Sequence, residues 1–260
     1  MTDFPNYPYQ KPLIFDSHAH YDDAKFDEIR SELLAELPVH GVCGVVNCGC
    51  DTASSKAALA FAEKYPYFYA AVGIHPENIG GGEVAEIEEL ARRKKCVAIG
   101  EIGLDYYWVD DNKEQQRALF EEQLVLANRL NLPVIVHDRE AHAEMYELLR
   151  QYRPRGVLHC YSGSAEDAAW LTAQGMALGF GGAVTYKGAK RAAKVLAMVP
   201  HELAVLETDC PYMSPEPVRG TRNDSRNIAH VAAKIGEIWQ MDAQSVLDLT
   251  AENAKRIFNQ

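Results

Sequence analysis

Several absences narrow the class of this chain before any motif is read. It holds no run of eighteen apolar residues, which excludes a membrane-spanning helix. Its six cysteines (Cys43, Cys48, Cys50, Cys96, Cys160, Cys210) form no C-x-x-C pair, so a zinc ribbon and a thioredoxin-like motif find no support and reduced thiols are expected. Cys48 and Cys50 in "NCGCD" are the one pair left open to a redox or metal role, beside the plainer reading as small buried hydrophobes. Positive charge is scarce, with 26 Lys and Arg against 37 Asp and Glu, a formal net of −11. That balance argues against coating nucleic acid through a broad positive field. It leaves room for phosphate binding inside one cleft, where metal ions and a few arginines reverse the local sign. The opening "MTDFPNYPYQKP" has three prolines and no apolar stretch behind a basic start, so no secretion or transit signal is read and a cytoplasmic location is expected. No membrane contact and no protein partner are evident.

What is present is globular: 47% hydrophobic and 24% charged residues, enough for a sizeable core. Short β-rich runs alternate with helical stretches, and eight such units can be counted. The runs are "LIFDSH", "GVCGVVNC", "FYAAVGIH", "CVAIGE", "PVIVHD", "GVLHCY", "MALGFGG" and "LAVLETD". Helices are expected over 52–65, 112–131 and 243–258. Nearly continuous apolar strands are strands buried on both faces, the mark of a parallel sheet covered by helices. Eight units in 260 residues favour closure into a single-domain α/β fold, a (β/α)8 TIM barrel over residues 13–260 behind a leader of residues 1–12. No G-x-G-x-x-G turn follows the first strand to support the open, doubly wound alternative.

Ionisable residues gather at the ends of these runs. His18 and His20 close the first, His75 the third, Glu101 the fourth, His137 the fifth, His159 the sixth and Asp209 the eighth. In a barrel all of these lie at the C-terminal face, where active sites are built. Burying so many ionisable groups at one mouth is costly without a partner, and a divalent cation suits imidazole and carboxylate together. Strand side chains alternate between faces, so the i, i+2 pair His18 and His20 points to one side. The same alternation sends Cys160 and Cys210 outward. Four nitrogen and two carboxylate ligands exceed one zinc-like ion with an open position, but they suit two metals sharing a bridging carboxylate, assigned here to Glu101. No lysine sits at the carboxyl end of the fourth or fifth strand to serve as a carboxylated bridge.

The motifs "DSHAH", "GIHP", "GEIGLDY", "PVIVHDR", "HCYSG" and "ETDCPYMSP" followed by "RGTRNDSRN" resemble the TatD family of metal-dependent hydrolases, from residue 15 to the last helix. The resemblance implies a binuclear barrel of the amidohydrolase superfamily acting as a deoxyribonuclease, often from the 3′ end of DNA. Matched motif by motif, it implies metal ligands at His18, His20, Glu101, His137, His159 and Asp209, the set already reached from strand ends.

The expected chemistry is phosphodiester hydrolysis by a metal-bridged hydroxide, with Glu101 bridging and Asp209 handling the nucleophile's proton. DNA ends or single-stranded DNA are the expected substrate, and two divalent ions per chain (Zn, Mn, Mg or Ni) the expected cofactors. Arg139, Arg226, His75 and Tyr212 are the candidate substrate-binding residues, the arginines for phosphate and the others as hydrogen-bond donors, with a solvated surface position as the alternative for Arg139 and anchoring of the last loop as the alternative for Arg226. The aromatic trio Tyr106, Tyr107 and Trp108 is placed either to stack a terminal base or to pack a loop. His40, His142 and His201 read as ordinary surface residues, and His230 has no assignment. The same site used on a carbon centre, as an amidohydrolase or lactonase, or on a small phosphoester, is the alternative within enzymes. A non-catalytic metal-binding module is the alternative outside them.

Overall fold

The structure is a computed structural model that describes residues 13–108 and 111–260. The expected leader, residues 1–12, lies outside the described residues. Eight strands run parallel in sequence order: β1 (Ile14–Ala19), β2 (Val42–Cys48), β3 (Phe68–Val72), β4 (Cys96–Asp105), β5 (Val134–Arg139), β6 (Gly156–Leu158), β7 (Ala177–Phe180) and β8 (Ala204–Leu206). Past its last strand the chain meets the first again, through an Ala19–Cys210 bridge and a bond from the Asp209 amide to the His18 carbonyl (3.0 Å). This is the (β/α)8 barrel expected from the alternation.

Helices α1 (Arg30–Glu36), α2 (Thr52–Lys64), α3 (Val84–Ala91), α4 (Lys113–Leu130), α5 (His142–Tyr152), α6 (Ala165–Ala173), α7 (Lys190–Leu196), α8 (Ile228–Trp239) and α9 (Ala243–Phe258) wrap the strands. Their ends follow local chemistry. Asp51 and Ser54 form a reciprocal capping box at the start of α2, and the Asp242 side chain caps α9 through the Ser245 amide. Asn131 stops α4 in the left-handed region at φ 53°, one residue short of the expected limit. No helix among the described residues is long and apolar enough to cross a membrane.

Two apolar layers result. The inner one joins alternate strand residues such as Phe15, Val97, Ile135, Val157 and Val205 to Ala251, Ala254 and Phe258 of α9, so that α9 seals the end where strands begin. The outer one lies between strands and helices. Each fully buried Val, Leu, Ile or Phe contributes roughly 1.5–3 kcal/mol. With one end plugged by apolar packing, the other end is left for polar residues.

Candidate metal centre

Glu101 occupies the centre of that open end, and a local irregularity of β4 aims it there. Between Ile99 and Ile102 the strand advances one residue more than β5, which pairs through Val134 and Val136, so Glu101 lies in a bulge that re-aims its side chain. Gly103 follows at φ 152°, where any Cβ would collide with the His137 carbonyl. That close approach keeps β4 and β5 paired as far as Asp105 and Arg139, four residues beyond the expected end of the fourth run.

The two carboxylate oxygens of Glu101 face different histidines. Oε2 stands 3.3 Å from His18 Nε2 and 3.4 Å from His20 Nε2. Those two nitrogens are 2.9 Å apart, and Asp209 Oδ1 lies 3.6 and 3.5 Å from them. Oε1 lies 2.9 Å from His137 Nδ1 and 2.8 Å from His159 Nε2, which are 3.1 Å from each other, with His75 Nε2 at 3.4 Å. Donors set about 2.1 Å from one ion at tetrahedral angles stand about 3.4 Å apart. Both groups therefore have the spacing of a metal's donor set, with one oxygen of the shared carboxylate in each.

The electrostatics fit the same use. Burial, helped by the nearby charge of His159, lowers His18 to about 4, so this imidazole is neutral and ready to donate a lone pair. Burial also works against charge on His137, but hydrogen bonds with Asp105 and Glu101 outweigh it and lift that ring to about 10. For Glu101 the cost of burial is overcome by His159, His18 and His75, which hold the carboxyl well below its usual range. Asp209 is likewise kept ionised, its burial offset chiefly by the bond to His20. The thiol of Cys50 comes within 3.8 Å of His20 Nδ1, and burial pushes it up.

Two residues behind the histidines were not singled out from sequence. Asp105 Oδ2 meets His137 Nε2 at 3.0 Å and turns Nδ1 inward. Glu207 lies beneath His159, with Nδ1 to Oε1 at 3.9 Å; burial pushes this carboxyl up to about 8, and its Oε2 is buried without a partner. Signals for both exist. Glu207 precedes Asp209 by the spacing that pairs His18 with His20, and Asp105 follows Glu101 by four residues along one strand.

The TatD-related DNase family model matches residues 15–259. The chain belongs to the TatD-related DNase family. Among curated relatives of this TatD-family hydrolase, the uncharacterized metal-dependent hydrolase YabD of Bacillus subtilis is 36% identical over 252 residues, covering 95% of this chain and 99% of that protein. The 3′-5′ ssDNA/RNA exonuclease TatD of Erwinia tasmaniensis is 30% identical over 258 residues, covering 95% of this chain and 100% of that protein. Among solved structures, the TatD homologue YjjV of Escherichia coli K12 superposes with a TM-score of 0.88 at 32% identity, over 95% of this chain and 98% of that one. Membership identifies a metal-dependent hydrolase and agrees with the resemblance carried by the motifs.

The other candidates in this TatD-family chain divide. His75 stands three residues past the end of β3, where its Nδ1 accepts the Glu77 amide and its other nitrogen turns to Glu101. Asp209 is also three residues past its strand, at φ 55°, so a turn and not strand alternation aims it. Arg139 and Tyr212 line the 520 Å³ cavity above Glu101, together with Trp108. The Arg139 guanidinium lies over the rings of Tyr107 and Trp108, 4.1 and 5.1 Å from their centres, and those rings are 55% and 62% exposed.

Arg226 is not brought to this cavity. Its guanidinium makes two bonds to Asp224 (2.8 and 2.9 Å) beside a separate cleft, because the turn before α8 folds the arginine onto its own loop. Cys160 is a second correction. It adopts φ 46°, which reverses the alternation, and it lines a cavity with His137, His159 and Asp209 where an outward position was expected. Cys210 does pack in the outer apolar layer. His142 is no bare surface residue, since it pairs with Asp138 at 2.7 Å. His201 stacks on Trp239 with ring centres 4.1 Å apart, and half-buried His230 in α8 is lowered by burial.

Proposed function

We propose that this chain is a two-metal 3′-5′ exonuclease acting on single-stranded DNA or RNA. The observation that carries this reading is the division of Glu101 between two donor sets at the floor of an open cavity walled by Arg139 and Trp108. His18, His20 and Asp209 would hold one ion, His137 and His159 the other, with Glu101 shared. Divalent ions there would supply Lewis acidity, polarising a phosphoryl oxygen and acidifying water.

The remaining work falls to the protein's own groups. Asp209, held as a carboxylate, accepts the proton of the attacking water at one of its oxygens. Arg139 binds a phosphate oxygen, and its planar group already rests against two aromatic faces, which fixes its direction. Tyr107 and Trp108 offer the ring surface that Arg139 leaves exposed to an unpaired base, a contact that needs no particular base identity. His75 and Tyr212 border the same cavity as hydrogen-bonding partners for sugar and phosphate. Relatives such as the 3′-5′ ssDNA/RNA exonuclease TatD of Erwinia tasmaniensis support the same substrate class.

The test is direct. With manganese or magnesium, purified protein should shorten a 5′-labelled single-stranded oligonucleotide from its 3′ end, while Asp209→Asn should not. Equal shortening by both preparations, or turnover confined to lactones and amides, refutes the nuclease reading.

A further inference from the structure

Some cations of this acidic chain are answered by a carboxylate of their own element or a neighbour, as Arg92 is by Glu88, Arg117 by Glu121 and Glu144, and Lys255 by Glu252. One long stretch holds cations and no carboxylate at all. From Ala168 to His201 there is no Asp or Glu, and the cations present are Lys187, Lys190, Arg191 and Lys194. All four are exposed, and among the described residues none pairs with a carboxylate. Lys187 lies in the loop leading into α7, and the other three lie on α7 itself.

This basic stretch adjoins the mouth of the barrel. A second cavity of 310 Å³ shares His137, Arg139, His159, Asp209 and Met213 with the first and runs from them to Ser162, Val184 and Ala192. Ala192 belongs to α7, and Arg191 beside it bonds the Ser162 carbonyl at 3.3 Å. The two lobes have opposite character. The first is walled by Asp22, Asp23, Glu77 and Asp105, whereas the second has Asp138 as its sole carboxylate apart from the shared Asp209. A phosphodiester chain leaving the metal centre is repelled from the acidic lobe and unopposed in the other.

We infer that Lys187, Lys190, Arg191 and Lys194 form a track for the backbone of a single polynucleotide strand, which enters over α7 and reaches the metal centre through the second lobe. The inference rests on the nuclease reading above and adds the direction from which the strand arrives. The terminal nucleotide occupies the first lobe, against Tyr107 and Trp108, and the phosphates behind it meet Arg139 and then Arg191. A strand making four such contacts binds with a salt slope near −2.8, because each phosphate neutralised on a single strand contributes about −0.7. Between 50 and 200 mM salt that slope corresponds to a loss of about fiftyfold in affinity.

The experiment measures fluorescence anisotropy of a labelled, phosphorothioate-linked ten-residue oligothymidylate with the full-length protein over that salt range. The variant Lys187→Gln, Lys190→Gln, Arg191→Gln, Lys194→Gln is compared with one carrying the same charge loss elsewhere: Lys56→Gln, Lys64→Gln, Lys94→Gln, Arg153→Gln. The inference expects the first variant to bind at least tenfold more weakly at 50 mM salt with a slope flattened by about two to three, and the second to match the parent. Equal behaviour of the two variants overturns it, as does a parent protein that binds no oligonucleotide. Stronger α7-dependent binding to phosphatidylglycerol vesicles than to the oligonucleotide at equal phosphate also overturns it, in favour of a membrane surface. If the parent shortens oligonucleotides while both variants bind alike, only the track fails; if the parent shortens none, the nuclease reading fails on its own evidence.

Discussion

Metal loading of this site should expel protons, and the number follows from His137. Its Nδ1 faces Glu101 and His159 while Nε2 is bonded to Asp105, and the two carboxylates hold the ring near a pKa of about 10. At pH 7 that lies three units below, so all but about one ring in a thousand is protonated on both nitrogens. An ion taking Nδ1 must displace that proton, whereas the Nε2 hydrogen stays on His137 and is donated to Asp105. His20 and His159 are raised as well, both against burial: His20 chiefly by Cys50 and Asp209, His159 chiefly by Glu101. At least about one proton should leave at pH 7, and affinity should climb about tenfold per pH unit for each released, equivalent to about 1.4 kcal/mol. From pH 6 to 8 the dissociation constant should fall at least about a hundredfold. Calorimetric titration of manganese into metal-free protein, in two buffers of different ionisation enthalpy, counts the protons. Heats independent of buffer, or a dissociation constant flat over that range, would refute the reasoning. In metal-free protein the sign for stability is opposite. A histidine raised above its unfolded value of 6.5 stabilises the fold fully below that pH and loses its contribution as pH climbs to about 10.

Four further outcomes are expected. Glu101→Gln should lower metal content after dialysis, with affinity reduced by about a hundredfold or more, read by elemental analysis. Asp105→Asn should weaken metal binding by about 10 to 100-fold and cut the proton count, since His137 loses one of its two anionic partners. Trp108→Ala should raise the KM for oligonucleotides by about 5 to 150-fold, the equivalent of about 1–3 kcal/mol of stacking, while hydrolysis of a small phosphodiester lacking a base changes little. Gly179→Ala should cost about 1–3 kcal/mol in a thermal melt, because the added methyl would collide with the buried Glu207 carboxylate.

Sequence periodicity and strand-end chemistry carried much of this architecture, and particular residues show where they stopped. Buried parallel strands announce themselves as apolar runs, and His18, His137 and His159 lie on or directly after such runs, so alternation located them. His75 and Asp209 reach the site from turns three residues beyond a strand, where alternation has no force. They were still found, because the apolar runs read from sequence extend past the strands to His75 and Asp209. Cys160 was misplaced because a local turn inverts it at φ 46°, and Arg226 is held to its own loop by Asp224, the anchoring role that stood as the alternative to phosphate binding. Glu207 escaped notice because a carboxylate buried beneath a histidine looks, in a linear sequence, like any polar residue near a strand end.

The seam of the barrel joins its first strand to the residues after its last, through the Asp209 amide on the His18 carbonyl. His18, His20 and Asp209 sit directly on that seam, so an ion gripping all three would rivet together the two ends of the folded chain. Loading the site would then protect the whole scaffold from opening, by an amount that grows with the logarithm of free ion over its dissociation constant.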